Sequence, residues 1–260
     1  MPEIFEGKTV LITGVQNRWS IAWHAACALH SEGARLLFSV LGEKAASNLG
    51  KLLDEHQIVA RVYECDAADE QQCQSMFRHV RADANGRLDG VVHSIAYANR
   101  DELNGEFVAT SPEGFAIALD RSAYTLVRLA RGARPLMQEH GGAIVALTYL
   151  GAVRAVPNYN VMGVAKATLE ACARYLAADL GPEQIRVNSV SAGPIKTAAA
   201  SAIAGFDTMI KNVAGASPLR RPVAPEEIAS AVMFLLSPWS SGITGQVVYT
   251  DCGYSIVAHA

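Results

Sequence analysis

The chain has 260 residues, of which half are hydrophobic and only 18% are charged, and its formal net charge is −3. That composition supplies a sizeable core and excludes an intrinsically disordered chain. Because the charge is nearly balanced and the longest apolar stretch, residues 143–153, is shorter than the ~18 residues of a membrane span, we expect neither nucleic acid nor a membrane as a partner.

Short β-branched or aliphatic runs alternate with longer helical patterns along the chain, which is typical of repeated βαβ units. The predicted strands are 9–13, 35–40, 59–65, 90–94, 143–148, 186–190 and 246–250. The predicted helices are 20–31, 43–56, 70–84, 113–138, 158–180 and 225–236. We therefore predict an α/β fold with a doubly wound, Rossmann-type sheet of seven parallel strands and helices on both faces.

No linker or change of composition divides the sequence, so we predict a single domain over residues 1–260. Two segments are longer than ordinary connections, residues 96–112 and residues 193 to about 222. Long connections at strand ends are candidates for substrate covers. We predict the second segment, at about 193–222, to be a substrate flap.

The first βα turn is where an open α/β sheet holds a dinucleotide pyrophosphate against a helix N-terminus. The usual three glycines are absent, but Gly14 remains for the tight turn, and Ser20 is placed to cap the helix and offer its hydroxyl to a phosphate. A capped loop without a ligand fits these residues equally well. At the end of the third strand, Asp66 can either accept a hydrogen bond from an adenine amino group or cap the next helix.

Tyr159 and Lys166 give the strongest local signal. At ~100° per residue, seven positions return to within ~20° of the starting direction, so the two lie on one helical face with ~10 Å of rise between them. A phenol can donate to an oxygen that becomes anionic, and an ammonium can bind ribose hydroxyls and favour the same oxyanion. The wide spacing suits an α,β-unsaturated thioester better than a simple ketone, although such a pair also occurs on helices by chance.

Other residue patterns point to no further chemistry. His93 is interpreted as a packed core histidine, no His, Cys, Asp or Glu cluster has metal-ligand spacing, and the G-x-S-x-G motif is absent. The five cysteines fit neither a disulfide framework nor a metal knuckle and are predicted to be reduced and mostly buried. With no secretory pattern at the N-terminus, we expect a cytoplasmic protein.

With these residues in view, the sequence resembles the short-chain dehydrogenase/reductase superfamily, and within it the NADH-dependent bacterial enoyl-acyl-carrier-protein reductases. The resemblance covers about residues 5–257. Its motifs are Thr13-Gly14-Val15 with Ser20-Ile21-Ala22, Cys65-Asp66, His93-Ser94-Ile95-Ala96, Tyr149-Leu150-Gly151-Ala152, Pro157-Asn158-Tyr159-Asn160-Val161-Met162-Gly163, Arg186-Val187-Asn188 and Ser191-Ala192-Gly193-Pro194-Ile195. Carbonyl-reducing members place tyrosine and lysine four residues apart, and here that position is Gly163, which favours the enoyl reductase branch.

The resemblance implies reduction of the 2,3 double bond of a trans-2-enoyl thioester in fatty acid biosynthesis, by a homotetramer that uses NADH, with NADPH as the alternative. It implies Tyr159, Lys166 and Tyr149 as catalytic residues. The implied cofactor-binding residues are Gly14, Ser20, Ile21, Leu41, Asp66, Ala67, Ser94, Ile95, Ala96, Lys166, Ile195 and Thr197. The implied substrate-binding residues are Ala96, Leu103, Tyr149, Tyr159, Met162, Ala199, Ile203 and Phe206.

Departures from the family pattern qualify these expectations, among them Thr148 in place of the usual serine. His24 replaces a glycine on the helix next to the cofactor, Cys252 replaces the first glycine of a final Asp-Gly-Gly, and the flap helix 204–211 lacks most of the basic residues presented to an acidic carrier protein. The predicted partner is thus a small acyl thioester, with the acyl carrier protein docked weakly. The alternatives are a carbonyl reductase, an enoyl-CoA reductase and a nicotinamide-binding protein with little turnover.

Overall fold

A computed structural model describes residues 3–195, 210, 212–213 and 215–258. The strands are β1 Thr9–Thr13, β2 Arg35–Val40, β3 Arg61–Glu64, β4 Gly90–His93, β5 Gly142–Thr148, β6 Ile185–Ala192 and β7 Val247–Thr250. They form one seven-stranded sheet in the order β3-β2-β1-β4-β5-β6-β7, and every neighbouring pair is parallel. The predicted fold class is confirmed.

Helices cover both faces of the sheet. They are α1 Ile21–Ser31, α2 Gly42–Glu55, α3 Glu70–Asp83, α4 Pro112–Leu119, α5 Thr125–Met137, α6 Asn160–Leu180 and α7 Pro225–Leu236. The apolar faces of α1, α2 and α7 build the core on one side, and those of α3, α5 and α6 build the core on the other. Within the described residues, no helix is long and apolar enough to cross a membrane.

The central strands β1 and β4 are buried at every position because helices cover both of their faces. In β1, Ile12 packs into the core with α1 and α7, whereas the preceding Leu11 packs into the core on the opposite side. The edge strand β3 is different, since its end residues Arg61 and Glu64 are exposed. Continuous burial explains why the run at residues 9–13 predicts its strand without error.

One helix prediction is wrong. The sequence predicts an unbroken helix over 113–138, but a π-helical turn at Asp120–Tyr124 separates α4 from α5. Hydroxyl groups in this region bond outside the helix: the Ser122 Oγ contacts the backbone of Tyr97, and the Thr125 Oγ1 lies 2.9 Å from the Nε2 of His93. These tertiary hydrogen bonds favour a widened turn that helical periodicity does not reveal.

Candidate functional site

A cavity of about 640 Å³ lies along the carboxyl ends of the strands. The strand order reverses between β1 and β4, and such a switch point is where open α/β sheets bind their ligands. The cavity wall brings together the predicted residues Gly14, Ser20, Ile21, Leu41, Asp66, Ala67, Ser94, Ile95, Ala96, Leu103, Tyr149, Tyr159, Met162, Lys166 and Ile195. The other four, Thr197, Ala199, Ile203 and Phe206, lie outside the described residues, as does most of the predicted flap.

The first βα turn is built around Gly14. Its φ is +82°, and a side chain there would come within 2.0 Å of the carbonyl oxygen of Ser94, so the position requires glycine. The prediction that the Ser20 side chain caps α1 is wrong, because its Oγ accepts hydrogen bonds from the amides of Gln16 and Asn17 at 3.0 and 3.2 Å. The first amides of α1 have no partner within the helix, which leaves this end suited to an anion.

Asp66 does not cap the helix that follows it. The cap of α3 is Asp69, whose Oδ1 accepts from the amides of Gln71 and Gln72. Asp66 instead faces the cavity, and its Oδ2 accepts a hydrogen bond from Arg121 at 3.1 Å. Sequence reasoning missed Arg121, because it lies inside a segment predicted to be regular helix and 55 residues from its partner.

Tyr159 is the N-cap residue of α6, which begins at Asn160, two residues later than the sequence predicts. Its neighbours Asn158 and Asn160 both have positive φ, which turns the chain sharply into the helix. The rings of Tyr149 and Tyr159 meet edge to face, with centroids 5.0 Å apart. Burial raises the pKa of Tyr149 to about 12 and raises the pKa of Tyr159 well above its ordinary value, so both phenols remain protonated at neutral pH.

Lys166 is buried on α6, and its Nζ donates a 2.7 Å hydrogen bond to the carbonyl oxygen of Leu147 at the end of β5. Burial lowers the pKa of Lys166 to about 8, against the opposing charge of Glu170. Glu170 is itself buried one turn further along and accepts a 2.7 Å hydrogen bond from the Oγ1 of Thr148. The ammonium is therefore fixed to the strand that leads into Tyr149.

Gly163 separates the two residues of the Tyr159–Lys166 pair. A side chain at Gly163 would lie 2.8 Å from the carbonyl oxygen of Gly151, and one at Gly151 would lie 2.5 Å from the Cδ1 of Tyr159. The backbone of α6 thus packs directly on the turn after Tyr149. A lysine four residues after Tyr159 does not fit this packing, so the seven-residue spacing is built into the fold.

Two histidines lie outside this cavity wall. His93 is fully buried, as interpreted from the sequence, and burial lowers its pKa to about 3. The Nδ1 of His24 lies 3.2 Å from the Oε1 of Glu226, so this side chain is directed from α1 towards α7. Within the described residues, no group of three or more His, Cys, Asp or Glu side chains could hold a metal ion.

The chain is similar over most of its length to known proteins of one family. The family model described as enoyl-(acyl carrier protein) reductase matches residues 14–255. The chain is 50% identical to an NADH-type enoyl-acyl-carrier-protein reductase from Nostoc sp., over 96% of this chain and 97% of that protein. It is 46% identical to an NADPH-type enzyme of that name from Staphylococcus aureus, over 97% of this chain and 98% of that protein. A crystal structure of the Bacillus cereus enoyl-acyl carrier protein reductase with NADP+ and an indole naphthyridinone is 43% identical, with a TM-score of 0.96 over 99% of this chain and 100% of that chain.

Proposed function

This chain belongs to the enoyl-(acyl carrier protein) reductase family, and we propose that its cavity holds a nicotinamide dinucleotide beside a trans-2-enoyl thioester whose 2,3 double bond it reduces. This oxidoreductase activity is a step of fatty acid biosynthesis. One observation carries the proposal: Tyr159 and the buried Lys166 face one cavity, with Gly163 packed against Gly151 between them. The wide spacing of the pair suits this thioester better than the simple ketone of a carbonyl reductase.

The cavity residues fit a nicotinamide dinucleotide. Gly14 and the N-terminus of α1 would receive the pyrophosphate, with Ser20 able to donate its hydroxyl proton. Lys166 would bind the nicotinamide ribose, and Asp66 at the end of β3 would receive the adenine. When bound, the reduced nicotinamide supplies the hydride that adds to the β carbon of the enoyl thioester.

The tyrosines and the lysine act on the other end of the conjugated system. As the β carbon is reduced, negative charge develops on the thioester oxygen, where the Tyr159 phenol donates a hydrogen bond. Tyr149 packs edge-on against that ring and fixes its orientation. Lys166 contributes positive charge in a buried site, where electrostatic stabilisation is stronger than in water.

The proposed function is tested by replacing Tyr159 with phenylalanine. We expect kcat/KM for crotonyl thioester to fall about a hundredfold, since one oxyanion donor is lost. The Kd for NADH should stay unchanged, because the phenol acts on the substrate. Steady-state NADH oxidation and fluorescence titration measure the two quantities. Tyr175→Phe, on the exposed side of α6, is the matched control; an unchanged rate in Tyr159→Phe would remove the phenol from the mechanism.

The depressed pKa of Lys166 predicts a pH dependence for the free enzyme. The lysine is charged below about pH 8 and loses its proton as the pH rises through that value. We therefore expect kcat/KM for NADH to fall above about pH 8 with a single deprotonation, whereas an ordinary lysine would hold the rate past pH 10. A profile of kcat/KM for NADH from pH 6 to pH 10 measures this, and a flat line to pH 10 contradicts it.

NADH rather than NADPH is the expected cofactor. Leu41, at the end of β2, is exposed at the cavity wall and offers no charge to a 2′-phosphate, and Glu43 in the first turn of α2 would repel one. The nearest cation in sequence is Lys44. We predict a modest preference for NADH in kcat/KM, which Leu41→Arg should shift towards NADPH. A tenfold preference of the unaltered chain for NADPH would show that another cation binds the 2′-phosphate.

The assembly and the acyl carrier are further parts of the proposal. The family resemblance supports a cytoplasmic homotetramer acting on enoyl-acyl-carrier-protein. Because the predicted flap helix 204–211 contains Asp207 and few basic residues, we expect the carrier protein to dock weakly. Of these residues the structure describes only Ile210.

A further inference from the structure

The π-helical turn Asp120–Tyr124, here called the π turn, is held rigidly beside the cavity. Ser122 is fully buried, and its Oγ both donates to the carbonyl oxygen of Tyr97 and accepts from its amide, each at 2.9 Å. Thr125, directly after the turn, donates to the carbonyl oxygen of Arg121, and its Oγ1 lies within hydrogen-bond distance of the Nε2 of His93. Arg121 is thus carried by a segment anchored to the carboxyl end of β4.

The guanidinium of Arg121 meets the carboxylate of Asp66 with both of its terminal nitrogens. One terminal nitrogen lies 3.1 Å from the Oδ2 and the other 3.4 Å from the Oδ1, which also accepts from the amide of Ala68 at 2.9 Å. The same guanidinium lies 5.5 Å from the ring centroid of Tyr97. Both side chains of the ion pair are mostly buried, and Asp66, Tyr97 and Arg121 all line the cavity.

The pair retains hydrogen-bonding capacity on both partners. A carboxylate has about four acceptor positions and a guanidinium has five N–H donors. The recorded bonds occupy three positions on Asp66 and two donors on Arg121. The ion pair therefore presents an acceptor next to a donor in the cavity wall at the end of β3. This arrangement is complementary to a ligand whose edge carries a donor next to an acceptor.

Adenine presents such an edge, since its amino group is a donor and a neighbouring ring nitrogen is an acceptor. We propose that Arg121 is a specificity residue for the cofactor base, which fixes the Asp66 carboxylate on the amino group and itself donates to the adjacent ring nitrogen. The inference rests on the proposed function, which places the adenosine half over β1, β2 and β3. Hypoxanthine carries a carbonyl oxygen in place of the amino group, and that oxygen would face a carboxylate.

Equilibrium binding tests the proposal without turnover. Isothermal titration of the full chain with NAD+ and with nicotinamide hypoxanthine dinucleotide should give at least tenfold tighter binding of NAD+. In Arg121→Ala we expect the Kd of NAD+ to rise about tenfold and the preference for adenine to fall to threefold or less. Arg121→Lys should restore the affinity in part, because it keeps the charge but not the paired geometry.

Arg131→Ala is the matched control, since Arg131 lies on α5 and pairs with Glu70 at the surface. It should bind both dinucleotides as the unaltered chain does. If Arg121→Ala keeps its preference for adenine, whether or not both affinities fall together, the specificity role is refuted. If Arg121→Ala does not fold, Arg121→Gln is measured against the same criterion. If the unaltered chain binds neither dinucleotide, the proposed function itself is wrong.

Discussion

Replacing Lys166 with alanine is expected to lower kcat/KM for crotonyl thioester by about a thousandfold or more. The variant loses the charge near the developing oxyanion and the group that would bind the nicotinamide ribose, and electrostatic contributions of this kind are typically the largest in a site. Stability should not fall in parallel. Burial lowers the pKa of Lys166 to about 8, so its charged form is disfavoured by folding at neutral pH, and removing it relieves that cost.

In this variant we therefore expect a loss of activity without a fall in the melting temperature. We expect Lys166→Ala to melt at or above the temperature of the unaltered chain while turnover is lost, and Lys166→Met, which fills more of the space, to melt higher still. Lys51→Ala, on the exposed side of α2, serves as the control for removing a lysine charge. Activity of Lys166→Ala within tenfold of the unaltered chain would remove the ammonium from the proposed mechanism.

Replacing Gly14 with alanine is expected to weaken NADH binding about a hundredfold and to lower the free energy of unfolding by about 2–4 kcal/mol. The positive φ of +82° contributes about 1–2 kcal/mol for a residue with a Cβ. The rest is steric, because the new Cβ would lie 2.0 Å from the carbonyl oxygen of Ser94 and 2.6 Å from its carbonyl carbon. The first βα turn and the end of β4 must then separate, which displaces the proposed pyrophosphate site.

Gly86→Ala separates these two contributions. Gly86 has a similar φ of +77° in a loop away from the cavity, and nothing lies within 4 Å of its added Cβ. Chemical denaturation of both variants should show a clearly larger loss for Gly14→Ala, and fluorescence titration should show weakened NADH binding in that variant alone. Equal destabilisation with unchanged NADH binding would mean that the turn tolerates a side chain and that its close approach to β4 is dispensable.

Local pattern was sufficient to predict the sheet. The strands at Thr9–Thr13 and Arg35–Val40 follow from apolar runs buried on both faces, and α7 begins at Pro225 as its sequence predicts. The π turn could not be predicted, because the hydrogen bonds that hold it reach residues far away in sequence. The local periodicity of a sequence does not indicate such distant partners.

In the cavity, too, features that depend on nearby residues were predicted from the sequence, and features that depend on distant contacts were missed. Tyr159 and Lys166 stand close enough in sequence for their spacing to suggest a shared site. The packing that enforces this spacing, Gly163 against Gly151, brings a helix against a turn and appears only in three dimensions. His24 and Glu226 are likewise brought together by the packing of α1 against α7, a contact that the sequence of one helix does not reveal.

The position of hydride addition tests the central claim most directly. We would incubate the chain with crotonyl thioester and NADH carrying deuterium on both positions of the nicotinamide C4, then locate the label in the product by mass spectrometry and NMR. The account predicts a butyryl thioester with one deuterium at C3 and a solvent-derived hydrogen at C2, since Tyr159 and Lys166 stabilise charge on the thioester oxygen. No labelled butyryl thioester, together with deuterium transfer to the carbonyl carbon of a ketone tested in parallel, would contradict it and identify a carbonyl reductase instead.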